Sequence, residues 1–301
     1  MYNKEKSRGE DKVESLYQET KFIMKKYRLT AEKRLGQNFL VDEEAVNSIV
    51  ESAKITKQDL IIEIGPGLGT LTKQLLERAG KVIAIELDDR MLTILKDRFS
   101  MYSNFELIHQ DVLKVDLHQI IQKEKQSGAI QKVKIVANLP YYITTPIIMK
   151  LLEDKLDIES ITIMIQKEVA QRLTALPGEK NCGAITYSIY YYTNPKEVCI
   201  VPHDAFIPAP EVDSEVIHLE VRKTPVVIPK NETLFFNVIK AGFLQRRKTF
   251  LNALVNGNLL PDKQSAKEML EQLQISENIR AEELSIETFA KIADYLAEKK
   301  K

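Results

Sequence analysis

Short apolar runs rich in Ile and Val recur along the first 220 residues, near 60–64, 82–86, 105–109, 133–137, 160–166, 197–201 and 215–221. Turn residues bound each run, which is the pattern of strands buried on both faces of a sheet. Between them lie stretches whose apolar positions recur at helical spacing: 69–79, 89–99, 116–125, 145–153 and 167–173. Two earlier helices are predicted near 16–27 and 42–54. In the second, Asp42 is placed as an N-cap, and Val46, Ile49, Val50 and Ala53 share a face. Strand alternating with helix predicts an α/β fold, a mostly parallel sheet with helices on both faces. A Pro-rich loop, Pro202 to Pro210, joins the last two strands without a crossover helix, so they are expected to pair antiparallel.

After Arg222 the pattern changes. Thr224-Pro225 and Ile228-Pro229 punctuate a linker. From there on only helical periodicity appears, at 231–245, 246–256, 263–273 and 285–298. The expected organisation is an N-terminal arm and helix over 1–30, an α/β domain over 31–224 and a small all-helical domain over 225–301.

Composition adds exclusions. Formal net charge is zero, so no global basic signature marks a nucleic-acid binder; only a local basic face remains open to it. Residues 1–40 lean that way, with seven Lys and three Arg against six acidic residues, a net of +4. Cys182 and Cys199 are the only cysteines, and neither they nor the four scattered histidines have metal-ligand spacing. No apolar run approaches the ~18–20 residues of a membrane span, and the charge-studded first 40 residues hold no signal-peptide core. The expectation is a cytoplasmic protein without metal or membrane partner. Without obvious heptads it is also expected to be a monomer.

Two strand-to-turn junctions carry chemistry. Leu60-Ile61-Ile62-Glu63-Ile64 runs into Gly65-Pro66-Gly67-Leu68-Gly69. Glycines let the backbone turn tightly and approach a ligand, and a following helix offers unpaired N–H groups. The dinucleotide fingerprint needs its third glycine three residues after the second; that position is Thr70, which argues against NAD and for S-adenosylmethionine. Glu86 ends the next strand, where a carboxylate accepts both hydroxyls of a ribose. Asp111, just after the third strand, would face the adenine amine or cap the next turn.

The second junction is Asn138-Leu139-Pro140-Tyr141, after the strand Val133 to Ala137. The lone pair of an adenine N6 amine is delocalised into the ring. Acceptors such as the Asn138 side-chain oxygen and the Leu139 carbonyl can draw the amine towards sp³ geometry. Pro140 stiffens the loop, and Tyr141 offers a face for the base. Phe206, in a Pro-rich loop, reads either as a rigid exposed aromatic opposite Tyr141, able to sandwich a flipped base, or as a packed apolar plug.

These residues carry a resemblance. LGQNFL at 35–40, EIGPGLGTLT at 63–72, NLPYYITTPII at 138–148 and FIPAPEVDSEVI at 206–217 closely resemble the KsgA/RsmA family, as do FLQRRK at 243–248 and RAEELS at 280–285. Members dimethylate two adjacent adenosines near the 3′ end of small-subunit (16S) ribosomal RNA. The resemblance implies a class I S-adenosylmethionine-dependent methyltransferase fold, with the 16S rRNA of the small subunit or its precursor as partner. It implies cofactor contacts at Asn38, Leu40, Gly65, Glu86, Asp111 and Asn138, beside Gly67 of the glycine turn. It assigns base stacking to Phe206. It also implies RNA contacts by basic residues of the helical domain, for which Arg246, Arg247 and Lys248 are candidates, although three adjacent charges also read as a solvated helix end. Macrolide-resistance methyltransferases acting on large-subunit (23S) rRNA share similar motifs. A ribosome assembly factor with secondary catalysis is the reading from another class. A small-molecule methyltransferase gives no reason for the helical appendage.

Overall fold

A computed structural model describes residues 15–299, apart from Lys180, Arg246 and the side chain of Lys33. Of the arm and helix expected over 1–30, residues 1–14 lie outside the described residues. The described residues open with α1 (Leu16–Lys26), β1 (Phe39–Leu40) and α2 (Glu43–Ser52). Alternating units follow: β2 (Asp59–Ile64), α3 (Thr70–Arg78), β3 (Lys81–Glu86), α4 (Asp89–Phe99), β4 (Phe105–His109), α5 (Leu117–Gln126), β5 (Lys132–Asn138), α6 (Thr144–Glu153), β6 (Ser160–Gln166) and α7 (Lys167–Thr174). The unit closes with α8 (Ala184–Tyr192), β7 (Thr193–Val201), β8 (Phe206–Ile207) and β9 (Ser214–Val221).

Seven strands form one sheet in the order β4-β3-β2-β5-β6-β9-β7. The first five run parallel, and β9 is antiparallel to both β6 and β7. This is the class I methyltransferase sheet with its reversed terminal hairpin. The two-residue period of the strands divides the core. Leu60, Ile62 and Ile64 pack on one face with α5, α6 and α7, while Ile61 packs on the other with α2, α3 and α4.

One helix departs from the sequence expectation. Ala184–Tyr192, with its run of aromatic and β-branched residues, has no amphipathic stripe because it is buried on two sides. Ile189 joins the sheet core, while Tyr187 and Tyr191 enter the core of the C-terminal helices. Those helices are α9 (Glu232–Leu244), α10 (Phe250–Asn256), α11 (Lys263–Gln272) and α12 (Ile286–Lys299). The Tyr187 hydroxyl donates to the Leu284 carbonyl at 2.6 Å. β7 starts directly after α8, four residues earlier than its apolar pattern indicated.

At the amino ends of β2 and β5, Lys134 Nζ donates to Asp59 Oδ2 at 2.9 Å and to the Lys54 carbonyl at 2.7 Å. Both side chains are almost wholly buried. Removing one partner leaves an uncompensated buried charge, which costs about 3–5 kcal/mol. Lys134→Met is therefore expected to lower the urea unfolding free energy by about that amount, and adding Asp59→Asn to recover much of it. Cofactor affinity should hold in both, because the pair lies at the opposite strand ends from the cleft. Equal stability of Lys134→Met and wild type would contradict this.

Candidate active site

The chain runs outward from β2 to β3 and β4, then crosses back to β5 on the other side of β2. A parallel sheet opens a crevice at the carboxyl ends of its strands where the order reverses in this way. Ile64 of β2 pairs with Ala137 of β5, so the turn beginning at Gly65 and the turn beginning at Asn138 leave the sheet side by side. One cavity is lined by both turns, by Glu63 and Glu86 from the strands, by residues 35–40, and by Leu87 and Phe206.

The glycines divide their work. Gly65 has φ +66°, and a Cβ there would meet nothing within 4 Å, so its backbone faces open space. At Gly67 (φ +56°) an added Cβ would meet the Phe39 ring at 3.5 Å. Gly69 serves packing instead, since a Cβ would come within 2.5 Å of Phe99 of α4. Glu86 is held by three backbone N–H groups: Leu87 at 2.7 Å and Asp88 at 2.8 Å on one oxygen, Gly67 at 3.3 Å on the other. Burial raises its pKa, against the lowering effect of these donors.

Residues 35–40 cross the cavity as a strap. Gln37 Nε2 donates to Asp88 Oδ2 at 2.7 Å, and Arg90 grips the same carboxylate, holding its pKa below the usual range. Phe39 and Leu40 pair antiparallel with Ile207 and Phe206, and the Val41 N–H donates to the Ala205 carbonyl. Asn138 Nδ2 donates to the Asn38 carbonyl at 3.3 Å, which leaves Oδ1 turned to accept. Leu139 is buried, and its N–H donates to the Met164 carbonyl. The Pro140 carbonyl accepts from the Ile143 N–H and the Thr144 hydroxyl, so the turn is closed by its own helix start. Tyr141 is half-buried, with its hydroxyl 2.8 Å from Ser214 Oγ, and burial keeps the phenol protonated by raising its pKa.

Asn38, Leu40, Gly65, Gly67, Glu86, Asn138, Leu139, Pro140, Tyr141 and Phe206 thus converge on one cavity. Phe206 does so differently from the exposed-ring expectation. It is 4% exposed and packed in the core, because its loop pairs with Leu40 in a separate two-stranded ladder and its ring joins the cluster of Phe39, Val136 and Val216. Asp111 does not line the cavity; its Oδ1 accepts from the Leu113 N–H at 3.0 Å and caps a turn. Arg247 and Lys248 are exposed, on the turn between α9 and α10 rather than in the helix expected over 246–256, and Arg246 lies outside the described residues. Among the described residues no acidic, His or Cys group is placed to hold a metal ion, and no helix is long and apolar enough to cross a membrane.

Two elements of the site were not anticipated. Arg98 of α4 donates to the Leu68 carbonyl and to Glu19 of α1, tying the N-terminal helix to the glycine turn. Glu63, read only as a strand residue, is 1% exposed in the cavity wall. Burial pushes its pKa to about 8; the Thr72 hydroxyl, donating at 2.7 Å, opposes this, and the negative charge of Glu86 adds to it. A charged residue within an otherwise apolar strand run was the available signal.

The family model described as ribosomal RNA adenine dimethylase matches residues 28–298. Ribosomal RNA small subunit methyltransferase A of Alkaliphilus oremlandii is 49% identical over 280 residues, spanning 93% of this chain and 96% of that protein. The protein of the same name from Bacillus pumilus is 48% identical over 281 residues, spanning 92% and 95%. The crystal structure of a dimethyladenosine transferase from Plasmodium falciparum superimposes with a TM-score of 0.73 at 27% identity, over 87% of this chain and 98% of that one. The 23S rRNA methyltransferase ErmE shares the fold, with a TM-score of 0.66 at 23% identity, over 86% and 100%.

The raised pKa of Glu63 has a direct consequence for stability. A carboxyl whose folded value lies above its unfolded value contributes fully below the unfolded pKa, near 4.5, and loses that contribution as pH rises through about 8. Urea unfolding of wild type and Glu63→Gln from about pH 5 to about pH 9 should show wild type losing stability relative to the variant, on the order of a few kcal/mol. Parallel curves would mean that Glu63 ionises freely in the folded protein.

Proposed function

The chain belongs to the ribosomal RNA adenine dimethylase family and is an S-adenosylmethionine-dependent rRNA adenine dimethyltransferase; we propose that its substrate is two adjacent adenosines in the hairpin loop near the 3′ end of 16S rRNA. On this reading it acts on the small subunit or its precursor, in the cytoplasm, as a monomer. The observation that supports it most is the adjacency of the glycine turn and the Asn138 turn at the reversal of the sheet.

The residues present fit an adenosylmethionine. Gly65 keeps backbone open to the cavity, Glu86 is a buried carboxylate at a strand end, and Glu63 is an acid beside it. Glu86 would take the ribose hydroxyls. Glu63 would ionise against the cationic end of the ligand, and Asn38 and Leu40 would close the strap over it. Asp111 adds nothing to this fit, because its Oδ1 caps its own turn and it does not line the cavity. The bound cofactor supplies a methyl group activated by sulfonium charge.

The chain's own work is positional. Asn138 Oδ1 and the Leu139 carbonyl accept the N6 hydrogens of the substrate and so localise the lone pair on nitrogen. Pro140 holds these acceptors in place. Tyr141 presents its ring to the base, with Ser214 fixing the hydroxyl, and Phe206 forms the cavity floor. Holding the nitrogen in line with the methyl carbon is the main contribution to rate, and no strong base is required because the aryl ammonium cation formed on nitrogen is acidic enough to lose its proton to water. Arg247 and Lys248 would reach phosphates outside the cavity, making binding salt-dependent; Arg246, a third candidate by sequence, lies outside the described residues.

Methyl transfer from labelled adenosylmethionine to undermethylated small subunits, with large subunits as control, tests the reading. The expected product is N6,N6-dimethyladenosine near the 16S 3′ end, and label confined to 23S rRNA would overturn it. Asn138→Ala is expected to lower the rate about 10²–10³-fold while RNA association persists; full-rate dimethylation by that variant would remove Asn138 from catalysis.

Ser214→Ala and Tyr141→Phe delete the same hydrogen bond from its two ends. Each should slow transfer by about 2- to 10-fold, and the double variant should be no slower than the worse single one. Multiplying effects would show that the hydroxyls act separately.

A further inference from the structure

The cavity mouth carries an aromatic ring to which the chemistry above gives no work. Tyr142 is 57% exposed yet lines the same cavity as Tyr141 and Glu86. Its backbone is fixed within the short helical turn Tyr141–Ile143, closed by the Pro140 carbonyl. Gly36 of the strap runs beside its ring, near enough that a Cβ added there would sit in van der Waals contact, 3.4 Å from Cδ1. Its hydroxyl has no hydrogen-bond partner among the described residues. Tyr141 has the opposite arrangement, half-buried with its hydroxyl anchored to Ser214. Phe206, at 4% exposure, has no outward face to offer.

We propose that Tyr142 is a stacking platform for the unpaired nucleobase next to the adenosine in the cavity. The proposal rests on the methyltransferase reading above and goes beyond it, because it assigns a second base subsite. A nucleotide drawn into an enclosed site leaves the stack, and its chain neighbours must follow it as far as the mouth. Unstacked bases in single-stranded loops are held on aromatic faces, with little dependence on base identity. A pre-positioned tyrosine loses little side-chain freedom on forming such a stack. An exposed ring at the rim, on a backbone held in a short helical turn, thus suits a base, whose flat apolar face needs no hydrogen-bond partner. Tyr141 would grip the target, and Tyr142 would grip its neighbour.

The chain contains no tryptophan, so Tyr142→Trp installs a unique fluorophore at the rim. A synthetic RNA hairpin with unpaired adenosines in its loop, added to protein saturated with adenosylmethionine, should quench that fluorescence; a fully paired duplex should not. With undermethylated small subunits as substrate, Tyr142→Ala is expected to raise KM for the subunit about 5- to 100-fold. KM for adenosylmethionine should stay unchanged, and Tyr142→Phe should behave as wild type. Unchanged subunit KM in Tyr142→Ala, Tyr142→Phe as impaired as Tyr142→Ala, or no quenching by the hairpin would each overturn the proposal. If wild type itself transfers no methyl group to the small subunit, the substrate reading fails instead, while quenching by the hairpin still reports on the rim.

Discussion

The pairing of Ile64 with Ala137 positions everything else in the cleft. Parallel strands on either side of a reversal diverge in connectivity while their carboxyl ends stay one strand spacing apart. The β2 turn needs backbone open to a ligand, and the β5 turn needs acceptors fixed in direction. Neither makes a site alone. Placed one strand apart, on the proposed reading, they would bring a methyl donor and an amine acceptor within reach of each other. The supporting layers are correspondingly dry, since Ile61, Ile62, Ile135 and Val136 are fully buried beneath the two turns.

Electrostatic cost is concentrated in the same place. Glu63 and Glu86 lie in one cavity wall, both at raised pKa, and each is held by donors that favour its charged form without offsetting burial. Two acids in a poorly solvated site are an unstable arrangement until a cation or a set of hydroxyls arrives. That agrees with a site shaped for a charged nucleoside ligand, and is the physical source of the pH dependence expected of Glu63. The buried Asp59–Lys134 pair at the far strand ends is compensated internally, so it can specify packing there without asking for a ligand.

How far the site could be read from sequence follows from what kind of constraint fixes each residue. Gly65, Gly67, Glu86 and Asn138 sit where a strand ends, so local spacing was enough to place them. The parallel sheet and its reversed last hairpin were legible for the same reason, through run length and the absence of a crossover helix. Phe206 was not, because its burial depends on pairing with Leu40, a contact spanning most of the chain. The helix Ala184–Tyr192 was missed because two cores claim opposite sides of it and erase its periodicity. Arg247 and Lys248 fall in a turn because α9 stops at Leu244, one helix end that no Gly or Pro signals. Asp111 shows the limit of position alone: the right place after a strand did not decide whether its carboxylate faces the cavity or its own turn.

The strap explains how one small cleft serves two ligands. Residues 35–40 run beside the glycine turn at Phe39, meet the Asn138 turn through the Asn38 carbonyl, and join the Phe206 loop through the β1–β8 ladder. Gln37 anchors them to Asp88, two residues beyond Glu86. On the proposed reading, the backbone beside the cofactor is therefore also the backbone beside Tyr142 and Phe206. A substitution that displaced the strap would, on that reading, disturb both subsites at once, because one wall serves both.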